Sequence, residues 1–203
     1  MKIICVGRNY ASHIEELDNE KPEDPVLFMK PNTSIIPKNQ PFVIPEFSKD
    51  IHYEIELLIK ICKNGKYIEP QFAKNYYKEV GLGIDFTARD LQTKLKQAGL
   101  PWEKAKAFDR SACIGQNWLP VEEFDINDTH FSLQLNEKIV QSDTTAKMLW
   151  KVDELITYIS RYFTLNKGDV IFTGTPKGVG QVTENDQLKG YIQDQLMFDI
   201  NVK

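Results

Sequence analysis

The run over residues 51–61 constrains this 203-residue chain more than any other stretch. Ile51, Tyr53, Ile55, Leu57, Ile59 and Ile61 occupy every second position, with His52, Glu54, Glu56, Leu58 and Lys60 between them. Side chains alternate across a strand with a period of two, so the run predicts one strand with an apolar face on a core and a more polar face opposite. Such a strand needs partners, and further β-like runs occur at 2–6, 26–29, 80–86, 131–135, 138–141, 169–173 and 195–202. Helical patterns are fewer. They cover 10–17, with Asp18, Asn19 and Pro22 as the stop, 70–77, and 87–98, closed by Gly99 and Pro101. An amphipathic segment over 152–163 has Asp153 near its start. Asn64-Gly65 reads as a hairpin-type turn, and Pro31, Pro37, Pro41 and Pro45 make 31–45 a covering segment of edge or loop. Strands outnumber helices without alternating with them, so the expected class is α+β dominated by mixed sheet.

With 41% hydrophobic and 11% aromatic residues the chain can build a core, hiding roughly 70% of its unfolded surface. No repeat, low-complexity tract or Gly/Ser linker marks a boundary, so one domain over residues 1–203 is expected. Twenty-five basic against 29 acidic residues leave a net charge of −4. That balance offers no basic face for a polyanion, which argues against a nucleic-acid partner. No apolar run approaches the roughly 18 residues of a membrane span. The opening apolar residues fall short of the about 7–15 of a signal-peptide core, and a cytoplasmic location is expected. Cys5, Cys62 and Cys113 lack zinc or redox spacing and read as reduced, mostly buried thiols.

The chemistry concentrates in acids. Glu54 and Glu56 lie two apart on the polar side of the predicted strand, with Cα atoms about 7 Å apart, close enough to clamp one cation. The plainer reading of such a pair is a solvated outer face. Asp85 shares its face with Gly81 and Gly83, which either leave a hollow for a ligand or accept a backbone or an aromatic ring. Three carboxylates and no cysteine cluster suit a hard ion, Mg²⁺ or Mn²⁺ ahead of Zn²⁺. His52, on the face of Glu54, reads as a packed histidine before a neighbour of the ion's ligands. On the first helix His13 and Glu16 are three apart and face one another. A carboxylate-oriented imidazole can take a proton from water, although such pairs also decorate ordinary helix surfaces. Among Lys94, Lys96, Lys104, Lys106 and Arg110, Lys106 is flanked by Ala105 and Ala107 and is the one suited to a site. The glycine-rich residues 173–180 follow a strand but lack P-loop spacing, and read as a loop lining a pocket for a small anion or carbonyl. His130 sits in a polar stretch and reads as exposed.

Six blocks in order carry a family likeness. They are Gly7-Arg8-Asn9-Tyr10 with His13 and Glu16, Leu27-Phe28-Met29-Lys30-Pro31, and His52-Tyr53-Glu54-Ile55-Glu56-Leu57. The others are Asp85-Phe86-Thr87-Ala88-Arg89-Asp90-Leu91-Gln92, Lys104-Ala105-Lys106-Ala107-Phe108-Asp109 and Thr173-Gly174-Thr175-Pro176-Lys177-Gly178-Val179-Gly180. Along nearly its whole length the chain resembles the fumarylacetoacetate hydrolase family in its short acylpyruvate hydrolase / oxaloacetate decarboxylase form. The resemblance implies a mixed β-rich roll with a few short helices, assembled as a homodimer. It implies that Glu54, Glu56 and Asp85 hold Mg²⁺ or Mn²⁺, that Lys106 faces the substrate, and that the helix of His13 and Glu16 is a lid whose dyad activates water. Arg8, Lys30, Gln92 and Thr175 match positions lining the pocket. The extra N-terminal domain of fumarylacetoacetase and the duplicated halves of some relatives have no counterpart here, so a single-module enzyme is expected. The implied activity is metal-dependent cleavage of a C–C bond in a small 2-oxo acid, by acylpyruvate hydrolysis, oxaloacetate decarboxylation or both, through a pyruvate enolate. Two alternatives are a keto–enol tautomerase or isomerase, which needs the metal but no attacking water, and a metal-stabilised binding protein.

Overall fold

The computed structural model describes residues 1–16 and 21–203. The chain opens with β1 (Ile3–Gly7), α1 (Ala11–Glu16) and β2 (Val26–Lys30), and the pattern over 51–61 forms two strands, β3 (Ile51–Tyr53) and β4 (Ile55–Ile61). There follow β5 (Tyr77–Asp85), β6 (Thr87–Ala88), α2 (Arg89–Gln97), α3 (Glu103–Lys106), β7 (Ala112–Ile114) and β8 (Leu119–Pro120). The last third contains β9 (His130–Leu135), β10 (Lys138–Thr144), α4 (Val152–Tyr162), β11 (Val170–Phe172), β12 (Gly180–Gln181), β13 (Gln187–Ile192) and β14 (Gln195–Asn201). The architecture is the expected mixed β-rich one with a few short helices. Leu17 and the helix stop at Asp18 and Asn19 lie outside the described residues.

Among the described residues the strands form three sheets. The largest runs β2-β1-β11-β4-β5-β7 with β8 beside β5, the second runs β10-β9-β13-β14, and β12-β3-β6 form a small third. β1 pairs parallel with β11, while β11, β4, β5 and β7 pair antiparallel in turn. The register Ile55↔Ile84, Leu57↔Leu82 and Ile59↔Val80 puts the predicted apolar face on one side. There it joins Ile4, Val6, Phe131, Leu133, Leu188, Ile192 and Ile200, with Val152, Leu155, Ile156 and Ile159 of α4, in the main core. Each such side chain removed from water contributes about 1.5–3 kcal/mol.

The opposite face is also covered, which corrects the expectation of a polar side. Leu58 is fully buried with Ile3, Cys5, Ala112, Val170 and Phe172 in a second cluster. Ile35 of the proline-punctuated segment packs against this cluster, and the segment is pinned by Ile36 N–H donating to the Ala112 carbonyl and Phe42 N–H to the Asn201 carbonyl. Gly81 and Gly83 therefore leave no hollow. The Trp118 ring fills the space over Gly81, and the Cys113 carbonyl lies where a Gly83 side chain would be. Cys5 and Cys113 are buried thiols and Cys62 is half-buried.

Other corrections are local. The predicted helix over 87–98 starts at Arg89, because Thr87 and Ala88 pair with His52 and Ile51. Residues 70–76 form a 3₁₀ rather than an α-helix, begun by Pro70. Gly65 does not turn a hairpin but bridges Leu165. The start of α4 is held by Glu154, which accepts the Lys151 N–H, while Asp153 accepts the Tyr77 hydroxyl. Among the described residues no helix is long and apolar enough to cross a membrane.

Asp169 fastens the start of β1 to that of β11. It accepts the backbone N–H groups of Lys2 at 2.7 Å and Asn166 at 2.8 Å and pairs with Lys2 Nζ at 2.5 Å. Burial pushes this carboxyl up, but the hydrogen bonds from Lys2 and Asn166 outweigh it and hold it below its ordinary 3.8. A carboxylate depressed in the folded state contributes stability above its unfolded pKa and loses it as the pH falls through the folded value. Asp169→Asn is therefore expected to lower the urea midpoint at pH 7, and the gap from wild type to close below about pH 4. A gap constant from pH 7 to pH 3 would contradict the assignment.

Candidate active site

Glu54 at the junction of β3 and β4, Glu56 in β4 and Asp85 at the end of β5 each offer one carboxylate oxygen, and these oxygens lie within 4.8 Å of one another. All three residues are buried. Ionised carboxylates gathered out of water need compensating charge and hydrogen bonds. Lys106, at the end of α3, supplies both. Its Nζ lies 2.8 Å from Glu54 Oε2 and 2.7 Å from Asp85 Oδ2, and donates to Thr87 Oγ1 at 2.5 Å. Arg89 Nη2 reaches Glu54 Oε1 at 2.5 Å while its Nη1 donates to Gln92 Oε1 at 2.6 Å. Lys30 Nζ lies 2.7 Å from Asp85 Oδ1, and donates to Ser111 Oγ at 2.9 Å and to the Lys106 carbonyl.

The compensation is uneven. Burial pushes the Glu54 carboxyl up, but Lys106 and Arg89 outweigh it and hold it far below the usual carboxylate range. Burial pushes Glu56 well above that range, reinforced by the charges of Asp85 and Glu54, against a weaker pull from Lys106. Its Oε2 accepts the Gly174 N–H at 2.7 Å. Burial pulls down on the Lys106 ammonium, yet Asp85 and Glu54 raise it above its ordinary value. Asp85 is bracketed by two ammonium groups, Lys30 at 2.7 Å from Oδ1 and Lys106 at 2.7 Å from Oδ2. Three convergent buried carboxylates, with Glu56 under-compensated, suit a hard divalent ion such as Mg²⁺ or Mn²⁺.

The three acids open on a cavity of about 40 Å³ whose walls include Arg8, His13, Gln92, Trp102, Lys106 and Thr175. A larger groove of about 850 Å³ lies between residues 35–41 and β14 and contains none of the three acids, which makes the smaller cavity the candidate site. Arg8 has φ 58°, in the left-handed region. Its neighbour Asn9 anchors that turn, donating to the Thr173 carbonyl at 2.7 Å and accepting the Trp150 N–H at 2.8 Å. His13 is buried, and its Nδ1 lies 3.2 Å from Glu16 Oε2. Burial pulls the imidazole below its ordinary 6.5, against the charge of Glu54 and the hydrogen bond to Glu16. Glu16 in turn accepts the Gly178 N–H at 2.9 Å, tying α1 to the glycine-rich loop.

The structure thus brings Arg8, His13, Glu54, Glu56, Asp85, Gln92, Lys106 and Thr175 to one cavity. Glu16 stands behind His13, and Lys30 lies beneath Asp85 rather than on the cavity wall. Of the loop over 173–180, read as lining a pocket for a small anion or carbonyl, Thr175 lines the cavity, while the N–H groups of Gly174 and Gly178 are taken by Glu56 and Glu16. His52 bonds Asp50 at 2.9 Å, away from the cavity walls, and His130 is exposed beside Ser142. Sequence reasoning passed over Arg89, Thr87, Ser111, Asn9 and Gln141. Arg89 and Thr87 stood inside a quoted block, and the three-residue step from Arg89 to Gln92 on a helix was the available signal.

Residues 2–199 match the family model described as fumarylacetoacetate (FAA) hydrolase C-terminal. The chain belongs to the fumarylacetoacetate hydrolase family. Relatives in this family include oxaloacetate tautomerase YcgM of Escherichia coli (strain K12), 43% identical over 189 residues, covering 92% of this chain and 86% of the relative. Mitochondrial oxaloacetate tautomerase FAHD1 of Bos taurus is 38% identical over 202 residues, covering 99% and 91%. Fumarylpyruvate hydrolase from Pseudomonas aeruginosa, solved in complex with Mn²⁺ and pyruvate, superposes with a TM-score of 0.91 at 35% identity, covering 100% of this chain and 89% of that one.

Removing Lys106 leaves two buried carboxylates without their shared ammonium, so Lys106→Met in this family member is expected to cost about 3–5 kcal/mol in urea unfolding. Glu54→Gln on that background is expected to cost much less than it does alone, because the coupling has gone. Additive losses would show that the ion pair is energetically idle.

Proposed function

We propose that this chain is a divalent-metal-dependent enzyme of small 2-oxo acids, and that it interconverts the keto and enol forms of oxaloacetate. The observation that carries the reading is the convergence of Glu54, Glu56 and Asp85 on one point of a small cavity that also holds Lys106 and His13. The E. coli and bovine tautomerases support the substrate, and the Pseudomonas complex with Mn²⁺ and pyruvate supports the pairing of a 2-oxo acid with a divalent ion. Residues 1–203 are taken as one catalytic domain working as a homodimer.

Glu54, Glu56 and Asp85 would hold Mg²⁺ or Mn²⁺, which supplies positive charge to the carbonyl and carboxylate oxygens of a 2-oxo acid. Arg8 brings a cationic donor to a carboxylate of the substrate, and the Lys106 ammonium, bridging Glu54 and Asp85, adds positive charge at the cavity wall. Gln92 and Thr175 orient it by hydrogen bonds from the wall. His13, held neutral by burial, takes a proton from C3 of the keto form and delivers it to the C2 oxygen of the enolate so formed, the reverse direction running the same two transfers backwards, and Glu16 steadies the imidazolium in between.

A second reading is favoured by the His13–Glu16 pair itself. The same base can take a proton from water attacking the distal carbonyl of an acylpyruvate, whereas decarboxylation of oxaloacetate calls for no attacking water. The Pseudomonas hydrolase supports this alternative.

The two readings separate in one assay that follows enol absorbance and pyruvate release together. Tautomerisation predicts rapid, chelator-sensitive loss of enol-oxaloacetate with little pyruvate, restored by Mg²⁺ or Mn²⁺. Pyruvate formed mole for mole with enol lost would replace this reading with a lyase. For acylpyruvates, His13→Ala is expected to slow cleavage by about 10²–10⁴-fold while oxaloacetate decarboxylation falls far less. Equal losses on both substrates would remove His13 as the water-activating base.

A further inference from the structure

β10 carries an irregularity that the site makes use of. Its ladder with β9 runs Ile139↔Gln134 and then Gln141↔Leu133, so Val140 is an inserted bulge residue. One extra residue moves the next side chain to the other face of a strand. Accordingly Ile139 is exposed and Gln141 is 1% exposed.

The Gln141 side chain enters a gap that the largest sheet leaves open. On one side of β4, the Glu54 carbonyl accepts the Asp85 N–H. On the other side β11 ends at Phe172, opposite Leu58. Thr173 still bonds the Leu57 carbonyl, and at Gly174, with φ 99°, the chain turns away. The Ile55 N–H, on the residue between Glu54 and Glu56, therefore has no strand beside it, and a buried N–H must find a partner. Gln141 Oε1 accepts it at 2.9 Å. The same amide donates through Nε2 to Thr175 Oγ1 and to the Pro176 carbonyl, each at 2.9 Å. The Val140 carbonyl packs against Gly178 where a side chain would otherwise sit, and Gly178 is the residue that holds Glu16.

We infer that Gln141 is a positioning residue that sets the distance between the Glu54/Glu56 pair and Thr175, and so aligns the ion-holding acids with the substrate wall. The inference rests on the function proposed above. Gln141 lies outside the cavity walls and acts through Ile55 and Thr175.

The test compares Gln141→Met, similar in length without the amide, with Gln141→Glu, which keeps an acceptor for Ile55 and loses both N–H donors. Mn²⁺ binding to chelator-treated protein is measured by calorimetry, and KM and kcat for oxaloacetate separately. Gln141→Met is expected to weaken Mn²⁺ by about 10–100-fold and to raise KM. Gln141→Glu is expected to bind Mn²⁺ within a few-fold of wild type while KM still rises. A lower melting temperature with Mn²⁺ affinity and KM both within twofold of wild type would overturn the inference, leaving Gln141 a packing residue. If Gln141→Met does not fold, an unchanged KM in Gln141→Glu overturns it equally. Wild-type protein that binds no Mn²⁺ would overturn the functional reading and this inference with it. Normal Mn²⁺ binding by wild type, with Mn²⁺ affinity and KM both unchanged in Gln141→Met, would overturn this inference alone.

Discussion

The Lys106 ammonium between Glu54 and Asp85 is the contact on which the surrounding structure depends. Glu54, buried with Glu56 and Asp85 within 4.8 Å of one another, keeps its charge there because Lys106, with Arg89, outweighs the cost of taking it out of water, a cost of several kcal/mol per ion. Arg89 on the outer oxygen of Glu54 and Lys30 beneath Asp85 extend the same compensation. Ser111 and the Lys106 carbonyl then hold Lys30 in place. Glu56 is left with the weakest support, a single backbone N–H from Gly174. A site balanced in this way stays folded while keeping one acid in need of a cation.

The fold provides that balance by ending strands early. β4 is paired on both sides over its middle, with β11 and β5, so its side chains are buried on both faces. At Glu54 the strand passes from the largest sheet to the small sheet of β3, β6 and β12. At Gly174 the chain leaves β11 and becomes the loop of Thr175 and Gly178. Both departures happen at the same end of the sheet, and α1, α2 and α3 bring His13, Arg89 and Lys106 to it. The short helices contribute little to the main core compared with α4, and their buried residues are largely the polar ones of the site.

Much of this was legible in the residues. Period-two spacing over 51–61 identified the central strand, and the two-residue step from Glu54 to Glu56 located the acid pair. The blocks around Asp85, Lys106 and Thr175 supplied the other walls. What escaped depends on contacts distant in sequence. Leu58 is buried among Ile3, Cys5, Ala112, Val170 and Phe172, all distant in sequence, and local polarity carries no trace of that. The break at Glu54 divides two strands that pair in different sheets, with nothing in the alternation of residues to mark it. Gln141 reads as one more polar strand residue until the bulge at Val140 turns it inward. Lys30 closes a strand of apolar residues, and only the position of Asp85 explains its burial.

The central claim is that Glu54, Glu56 and Asp85 share one divalent ion, and crystals equilibrated with Mn²⁺ and examined for anomalous scattering test it most directly. The account predicts one strong peak per chain, bounded by an oxygen from each of the three acids, and its loss in Glu56→Gln crystals of unchanged fold. A map without a peak there, with Lys106 still bridging Glu54 and Asp85 at saturating Mn²⁺, would contradict it.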